Sequence, residues 1–219
     1  MSFGFRVDVR GKYALFSRPE MKVERVSYDC MTPSAARGIL EAVFWHPGMQ
    51  FKIDRIYVLN PIKFDNVRRN EVKAKISAAN VLKTMNQGGG ELCLATSENI
   101  QQRAAMVLKD VHYVIDAHFV MTDTANATDN TAKFHEIFQR RLRKGQCYHM
   151  PYLGCREFVA EVRPYEANDI QTAYPGQEKD LGFMLYDMDY SNPDDIKPLF
   201  FRAVLKNGVL DITKPEVYE

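Results

Sequence analysis

Between Val111 and Met121 every second residue, Tyr113, Ile115, Ala117, Phe119 and Met121, is apolar, and His112, Asp116 and His118 stand among the residues between them. This period of two predicts a β-strand with one buried face, so the chain must build a sheet and cover one side of it. Arg103 to Leu108 predicts a second strand, with Lys109-Asp110 as the turn of a hairpin. At the N-terminus Phe3, Phe5, Val7 and Val9 alternate with Gly4, Arg6, Asp8 and Arg10, and Gly11 ends a third.

Helical signals separate these strands. Thr32 is placed to cap a helix with Pro33 at its first position; Ile39, Leu40, Val43 and Phe44 give it an apolar side, and Pro47-Gly48 stops it. Phe51 to Leu59 then predicts a strand whose alternation slips by one residue near Asp54 and Arg55, the mark of a bulge. From Asn66 to Gly90 the pattern weakens into a long, basic, partly mobile excursion containing Gly88-Gly89-Gly90. The stretch TAKFHEIFQRRLRKGQ, Thr131 to Gln146, predicts a helix with Phe134, Ile137, Phe138 and Leu142 inward and Gly145 as C-cap. Its Arg140, Arg141, Arg143 and Lys144 suit the negative end of the helix dipole.

The order strand, helix, strand, insertion, strand hairpin, helix approximates a split βαβ unit. The expected class is α+β: a ferredoxin-like (RRM-like) N-terminal domain over residues 1–146 and a small C-terminal antiparallel β-sheet domain over 147–219. In the latter, Glu157 to Arg163, Gly182 to Met188 and Leu199 to Leu205 predict strands, and Asn207-Gly208 a tight hairpin into Val209 to Ile212.

The net charge of +1, from 29 basic and 28 acidic residues, means that any affinity for polyanions rests on uneven distribution. Arg68, Arg69, Lys73 and Lys75 face one local acid, Glu71, whereas Asp187, Asp189, Asp194 and Asp195 crowd a later segment. Cys30, Cys93, Cys147 and Cys155 lack a disulfide-framework spacing and no apolar signal core leads the chain, so a cytoplasmic protein with free thiols is expected. No run is long enough to cross a bilayer, and no membrane role is expected.

Few short motifs carry chemistry. No Lys-Ser or Lys-Thr follows the triple glycine, which therefore reads as a flexible loop rather than a phosphate loop. Cys147, His149 and Cys155 lack the fourth ligand and close pairing of a structural zinc site; neither metal nor cofactor is expected. His112 and His118 fall on the strand face opposite Tyr113. His46, beyond the first helix, is either a charge at the helix end or a projecting functional group. Two basic segments flanking the split βαβ unit, with Tyr13, Phe16 and Tyr28 in its loops, point toward nucleic acid without the usual RNA-recognition sheet signature.

Five longer blocks are more specific: YALFSRPEMKVERVSYD (Tyr13 to Asp29), TPSAARGILEAVFWHP (Thr32 to Pro47), FDNVRRNEV (Phe64 to Val72), QQRAAMVLKDVHYVIDAHF (Gln101 to Phe119) and PYLGCREF (Pro151 to Phe158). Together they closely resemble the type I-C (Dvulg) CRISPR-associated protein of the fifth Cas family. The resemblance implies an endoribonuclease that binds the CRISPR repeat hairpin, cuts precursor RNA at its base and retains the crRNA for the interference complex, whose other subunits are its partners. The alternative is a non-catalytic crRNA-binding subunit, and a DNA-binding component is a third reading. The resemblance also implies a glycine loop, with Gly154 in LGCREF as the candidate and Arg156 beside it.

The family's active site, so implied, joins the residue before the tryptophan at the first helix end, a lysine, and a histidine directly after that lysine. Here Phe44, Lys133 and Phe134 take those places, and neither phenylalanine can move protons. His135 and His46 lie close by as replacements, His135 first because it adjoins the matched lysine. On a regular helix residues 133 and 135 are about 200° apart, so either the helix begins after Lys133 or the histidine is His46. The expected site is thus Lys133 as cation, with His135 or His46 as proton carrier. Arg68, Arg69, Lys73, Lys75, Arg140, Arg141, Gly154 and Arg156 are the expected RNA contacts.

Overall fold

The computed structural model describes residues 4–21 and 23–219 and is an α+β architecture whose ten strands form one curled, almost wholly antiparallel sheet. Strand β1 (Gly4–Ala14) buries Phe5, Val7 and Val9, as their alternation predicts; Phe3 lies outside the described residues. A two-residue strand β2 (Arg25–Val26) follows. Helix α1 (Pro33–Val43) starts where expected, Thr32 Oγ1 accepting the Ala35 N–H at 3.2 Å, and buries Ile39, Leu40 and Val43. Strand β3 (Met49–Val58) turns Phe51, Ile56 and Val58 inward, and its register slips between Ile53 and Arg55 at the expected bulge.

Two expectations are corrected. The hairpin at Lys109-Asp110 does not form, because β5 (Ile100–Met121) runs through it as one strand. Asp110 has φ 52°, yet β1 pairs on both sides of it, Gly11 with Val111 and Tyr13 with Lys109. What changes at Asp110 is the partner on the other edge: β3 pairs with residues 113–121, and β4 (Phe64–Val72) with residues 100–108. Strand β4 is the second correction, since it occupies the start of the expected mobile excursion. Its residues alternate between exposed and half-buried with no fully buried face, which is why the apolar alternation is weak. The tip of this arm holds helix α2 (Ala78–Asn86), without a buried residue, and a 3-10 turn at Thr96–Glu98.

Helix α3 (Thr131–Lys144) lies over the same apolar sheet face as α1. Phe134 and Phe138 are buried there against Phe5, Phe51 and Phe119, each such ring contributing roughly 1.5–3 kcal/mol through removal from water. Gly145 closes the helix with φ 63°, a left-handed cap that suits glycine.

The remaining strands are β6 (Glu161–Pro164), β7 (Glu178–Asp189), β8 (Lys197–Lys206), β9 (Val209–Asp211) and β10 (Val217–Tyr218), with Asn207-Gly208 at the expected turn between β8 and β9. The sheet runs β10-β8-β9-β3-β5-β1-β6, with β2 and β4 on β5 and β7 on β8. Strands beyond residue 146 therefore continue the same sheet, β6 through β1 and β9 through β3, and one core runs from Phe5 to Ile212. Among the described residues no helix is long and apolar enough to cross a membrane.

Candidate active site

Two loops meet above α1 and α3. Phe44 to Gly48 leave α1, and residues 122–130 lead into α3. The Thr122 and Thr124 hydroxyls both donate to the Pro47 carbonyl, at 2.5 and 2.6 Å, and the Thr122 N–H donates to the Gly48 carbonyl at 3.1 Å. A Cβ on Gly48 would lie 2.9 Å from Ala125 Cα, so the close approach requires glycine.

Asn130 caps α3, its Oδ1 accepting the Lys133 N–H at 2.8 Å. The helix thus begins before Lys133, and the expectation that this lysine could sit in the preceding loop is corrected. The cap also sets Asp129 beneath Lys133, whose Nζ donates to Asp129 Oδ1 at 2.9 Å. The other carboxylate oxygen accepts the Asn126 N–H at 3.0 Å and lies 3.9 Å from His46 Nδ1. The Lys133 hydrogen bond above all, then the Asn126 N–H and the charges of Lys133 and His46, hold the Asp129 carboxyl below its ordinary range. An ammonium has three N–H donors, so Lys133, with its side chain 44% exposed, keeps two for an incoming anion.

His46 Nδ1 accepts the Gly48 N–H at 3.0 Å, which in the neutral ring leaves the proton on Nε2. The imidazole packs 4.8 Å from the Phe134 ring, and Phe134 lies 5.9 Å from Phe44. The three positions matched by resemblance, Phe44, Lys133 and Phe134, therefore come together: two buried rings as a floor, with Lys133 Nζ 5.9 Å from the Phe134 centroid. His135 is turned elsewhere, its ring stacked at 5.1 Å and 20° on Phe5 of β1. Among the two candidate histidines, the geometry joins His46 to Lys133.

Beside this cluster the chain leaving α3 docks on the end of α1, the Tyr148 N–H donating to the Ala42 carbonyl at 2.7 Å. Trp45, Tyr148 and Met150 are exposed there, large apolar groups on which unpaired bases can stack. Arg141 has a structural occupation: its Nη1 donates to the Val43 carbonyl at 3.0 Å and its guanidinium covers the Phe44 ring. Arg140 faces solvent.

The other expected RNA contacts are dispersed. Arg68 and Arg69 stand on strand β4 rather than in a loop; Arg68, Lys73 and Lys75 are exposed, while Arg69 pairs with Glu157 and covers Phe158. Glu71 does not neutralise them, being engaged by Arg25 and Arg103 at 3.2 and 3.6 Å. Gly154 has φ 81°, and a Cβ there would fall 2.0 Å from the Leu15 carbonyl oxygen; exposed Arg156 follows two residues on. His112 and His118 do lie opposite Tyr113, within 2.6 and 2.9 Å of Asp8 and Asp54. Among the described residues no three His, Cys, Asp or Glu side chains converge as metal ligands.

Asp129 and Gly48 are the site residues that sequence reasoning missed. The signal for Asp129 was present, a carboxylate four residues before the lysine and directly before a capping asparagine. Nothing local marks Gly48 beyond its role as a helix stop.

Comparison with known proteins identifies the family of the chain. The family model described as CRISPR-associated protein (Cas_Cas5), of the Cas5d type, matches residues 4–213. A CRISPR pre-crRNA endoribonuclease Cas5d of Mannheimia succiniciproducens is 50% identical over 217 residues, covering 97% of this chain and 96% of its own. One of the same description from Thermus thermophilus is 39% identical over 231 residues, covering 98% and 93%. A crystal structure described as a CRISPR-associated protein superimposes with TM-score 0.72 at 25% identity, over 100% of this chain and 97% of its own. A functionally uncharacterized Streptococcus mutans protein shares the fold, with TM-score 0.71 at 23% identity over 100% and 98%. The chain therefore belongs to the Cas5d family of CRISPR-associated proteins.

Proposed function

We propose that this chain is a CRISPR pre-crRNA endoribonuclease that binds the repeat hairpin, cuts at its base and keeps the crRNA for a type I-C interference complex in the cytoplasm. The names of the relatives from Mannheimia and Thermus support the activity. The observation that carries it here is the Lys133–Asp129–His46 cluster over the Phe44–Phe134 floor. The strand order β3-β5-β1-β6, with α1 after β1 and α3 after β5, supports a ferredoxin-like reading of the part up to residue 146, completed by β6; residues 147–219 supply the C-terminal sheet portion.

In the reaction the ribose 2′-oxygen bonds to the adjacent phosphorus as the bond to the 5′-oxygen breaks. One proton leaves the 2′-hydroxyl and one reaches the departing oxygen. Lys133 supplies a cation to the phosphoryl oxygens, whose charge grows in the transition state. His46, with its proton on Nε2, donates to the phosphoryl or leaving oxygen. To act as base it must instead protonate Nδ1, a change that the Gly48 N–H opposes and the Asp129 carboxylate favours. No step requires a metal.

A repeat-RNA cleavage assay with chelator present tests this: cutting by the wild type, slowed about 10²- to 10³-fold in Lys133→Ala, supports it. Phe44 and Phe134, at 7% and 1% exposure and unable to carry protons, favour a second reading, a non-catalytic crRNA-binding subunit. Tight repeat binding with no cutting under any ionic condition would select it.

A further inference from the structure

A cavity of about 310 Å³ opens beside the N-terminal half of α1, apart from Lys133 and His46. Leu15, Phe16 and Leu185 line it with apolar surface, Tyr152 adds a half-buried aromatic ring, and Ser34 adds a hydroxyl. Gly38 is also in the lining, at the centre of α1. A mid-helix glycine costs about 1 kcal/mol relative to alanine. Nothing in the fold demands it: the backbone is helical, and a Cβ there would meet no atom within 4 Å. Gly154, also in the lining, is the contrast, since there a Cβ would strike the Leu15 carbonyl. What the absent side chain at Gly38 preserves is the open volume itself.

We propose that this cavity receives one unpaired nucleobase of the bound RNA, a proposal that rests on the RNA-processing reading above. The volume is at the lower end of small-ligand sites, which suits one ring system and excludes a duplex. Apolar walls with two aromatic side chains, Phe16 and Tyr152, fit a π-face, and sequence-selective RNA recognition acts on splayed, unpaired bases. Ser34 Oγ shares a 3.1 Å hydrogen bond with Thr32 Oγ1, which also accepts the Ala35 N–H, and a hydroxyl so engaged keeps a lone pair for a donor on a base edge. The cavity lies along α1, and His46 of the candidate cleavage site follows the C-terminal end of the same helix. Gly38 to Phe44 is six residues, or about 9 Å along α1, so an RNA strand at Lys133 and His46 extends readily to the cavity.

The test combines cavity filling with base removal. Repeat RNAs carrying one abasic nucleotide at each unpaired position flanking the hairpin are titrated against wild-type protein and Gly38→Leu, with Gly38→Gln as a second filling variant and thermal melting to verify folding. One abasic position should weaken wild-type binding by about 5- to 150-fold, the range for loss of one stacked base. Gly38→Leu should lose a similar factor with intact RNA and lose nothing more at that abasic position. Filling variants that fold and bind intact RNA like wild type, or losses that multiply at every position, would overturn the proposal and leave RNA processing standing. Wild-type protein that does not prefer repeat RNA to unrelated RNA would overturn both.

Discussion

Asp129 accepts a hydrogen bond from the Lys133 ammonium at 2.9 Å while its second carboxylate oxygen stands 3.9 Å from His46 Nδ1. One carboxylate thus orients a cation on α3 and faces a histidine from the end of α1. Lys133→Ala should lower the single-turnover cutting rate by about 10²- to 10³-fold, the usual loss for one donor aimed at developing charge. Repeat affinity should fall far less, because the lysine acts mainly on charge absent from the ground state. Near-wild-type cutting would remove Lys133 from the chemistry.

His46→Ala and His135→Ala should differ. His46 shares the Asp129 and Phe134 surroundings of Lys133, whereas His135 stacks on Phe5. Cutting should fall by about 10²-fold or more in the first and stay within a few-fold of wild type in the second, at matched folded fraction. The reverse result would move the site to the Phe5 side of α3.

The Asp129 carboxyl titrates below its ordinary range in the folded chain, chiefly through Lys133. A lowered folded-state value means that the carboxylate favours folding above the unfolded value of about 3.9, and that this contribution is lost as pH falls through the folded value. The Lys133–Asp129 pair should therefore stay intact at pH 5. Carboxyl-carbon NMR of the wild type should show Asp129 titrating below the ordinary aspartate range, and Lys133→Ala should raise its midpoint. A wild-type midpoint at or above the ordinary range would contradict the pairing.

Features set by adjacent residues were legible in the sequence: the Thr32-Pro33 helix start, the Asp54-Arg55 slip, the Asn207-Gly208 turn and the Gly145 cap. Features set by distant partners were not. Lys109-Asp110 has the composition of a turn, but β1 pairs across it and only the opposite edge changes partner, from β3 to β4. Strand β4 hid because neither of its faces is fully buried. At the candidate site, the resemblance pointed to Lys133 and Phe44, while the preference for His135 came from adjacency along the chain. Helical rotation turns His135 away, and only the folded loops bring His46 near Lys133.

Gly154→Ala should destabilise the fold. Its φ of 81° is strained for any side chain, and the new methyl would sit 2.0 Å from the Leu15 carbonyl oxygen, against rigid backbone. A loss of about 3 kcal/mol is expected, from combined strain and overpacking. Chemical denaturation measures it, and a loss under about 1 kcal/mol would mean that the loop shifts easily.

The salt dependence of RNA binding tests the β4 arm. Arg68, Lys73 and Lys75 are exposed, and the nearby acid Glu71 is engaged by Arg25 and Arg103. Arg69, paired with Glu157 over Phe158, has less charge to offer. Each lysine or arginine that meets a phosphate releases condensed counterions and adds about 0.7 to 0.9 to the slope of log affinity against log salt. Replacing Arg68, Lys73 and Lys75 together by alanine should therefore flatten that slope by about 2 to 3 and weaken repeat binding most at low salt. Arg69→Ala alone should change the slope by well under one and act instead on packing against Phe158. An unchanged slope in the folded triple variant would take the arm out of the RNA interface and leave the Trp45 and Tyr148 surface beside the cluster as the principal contact.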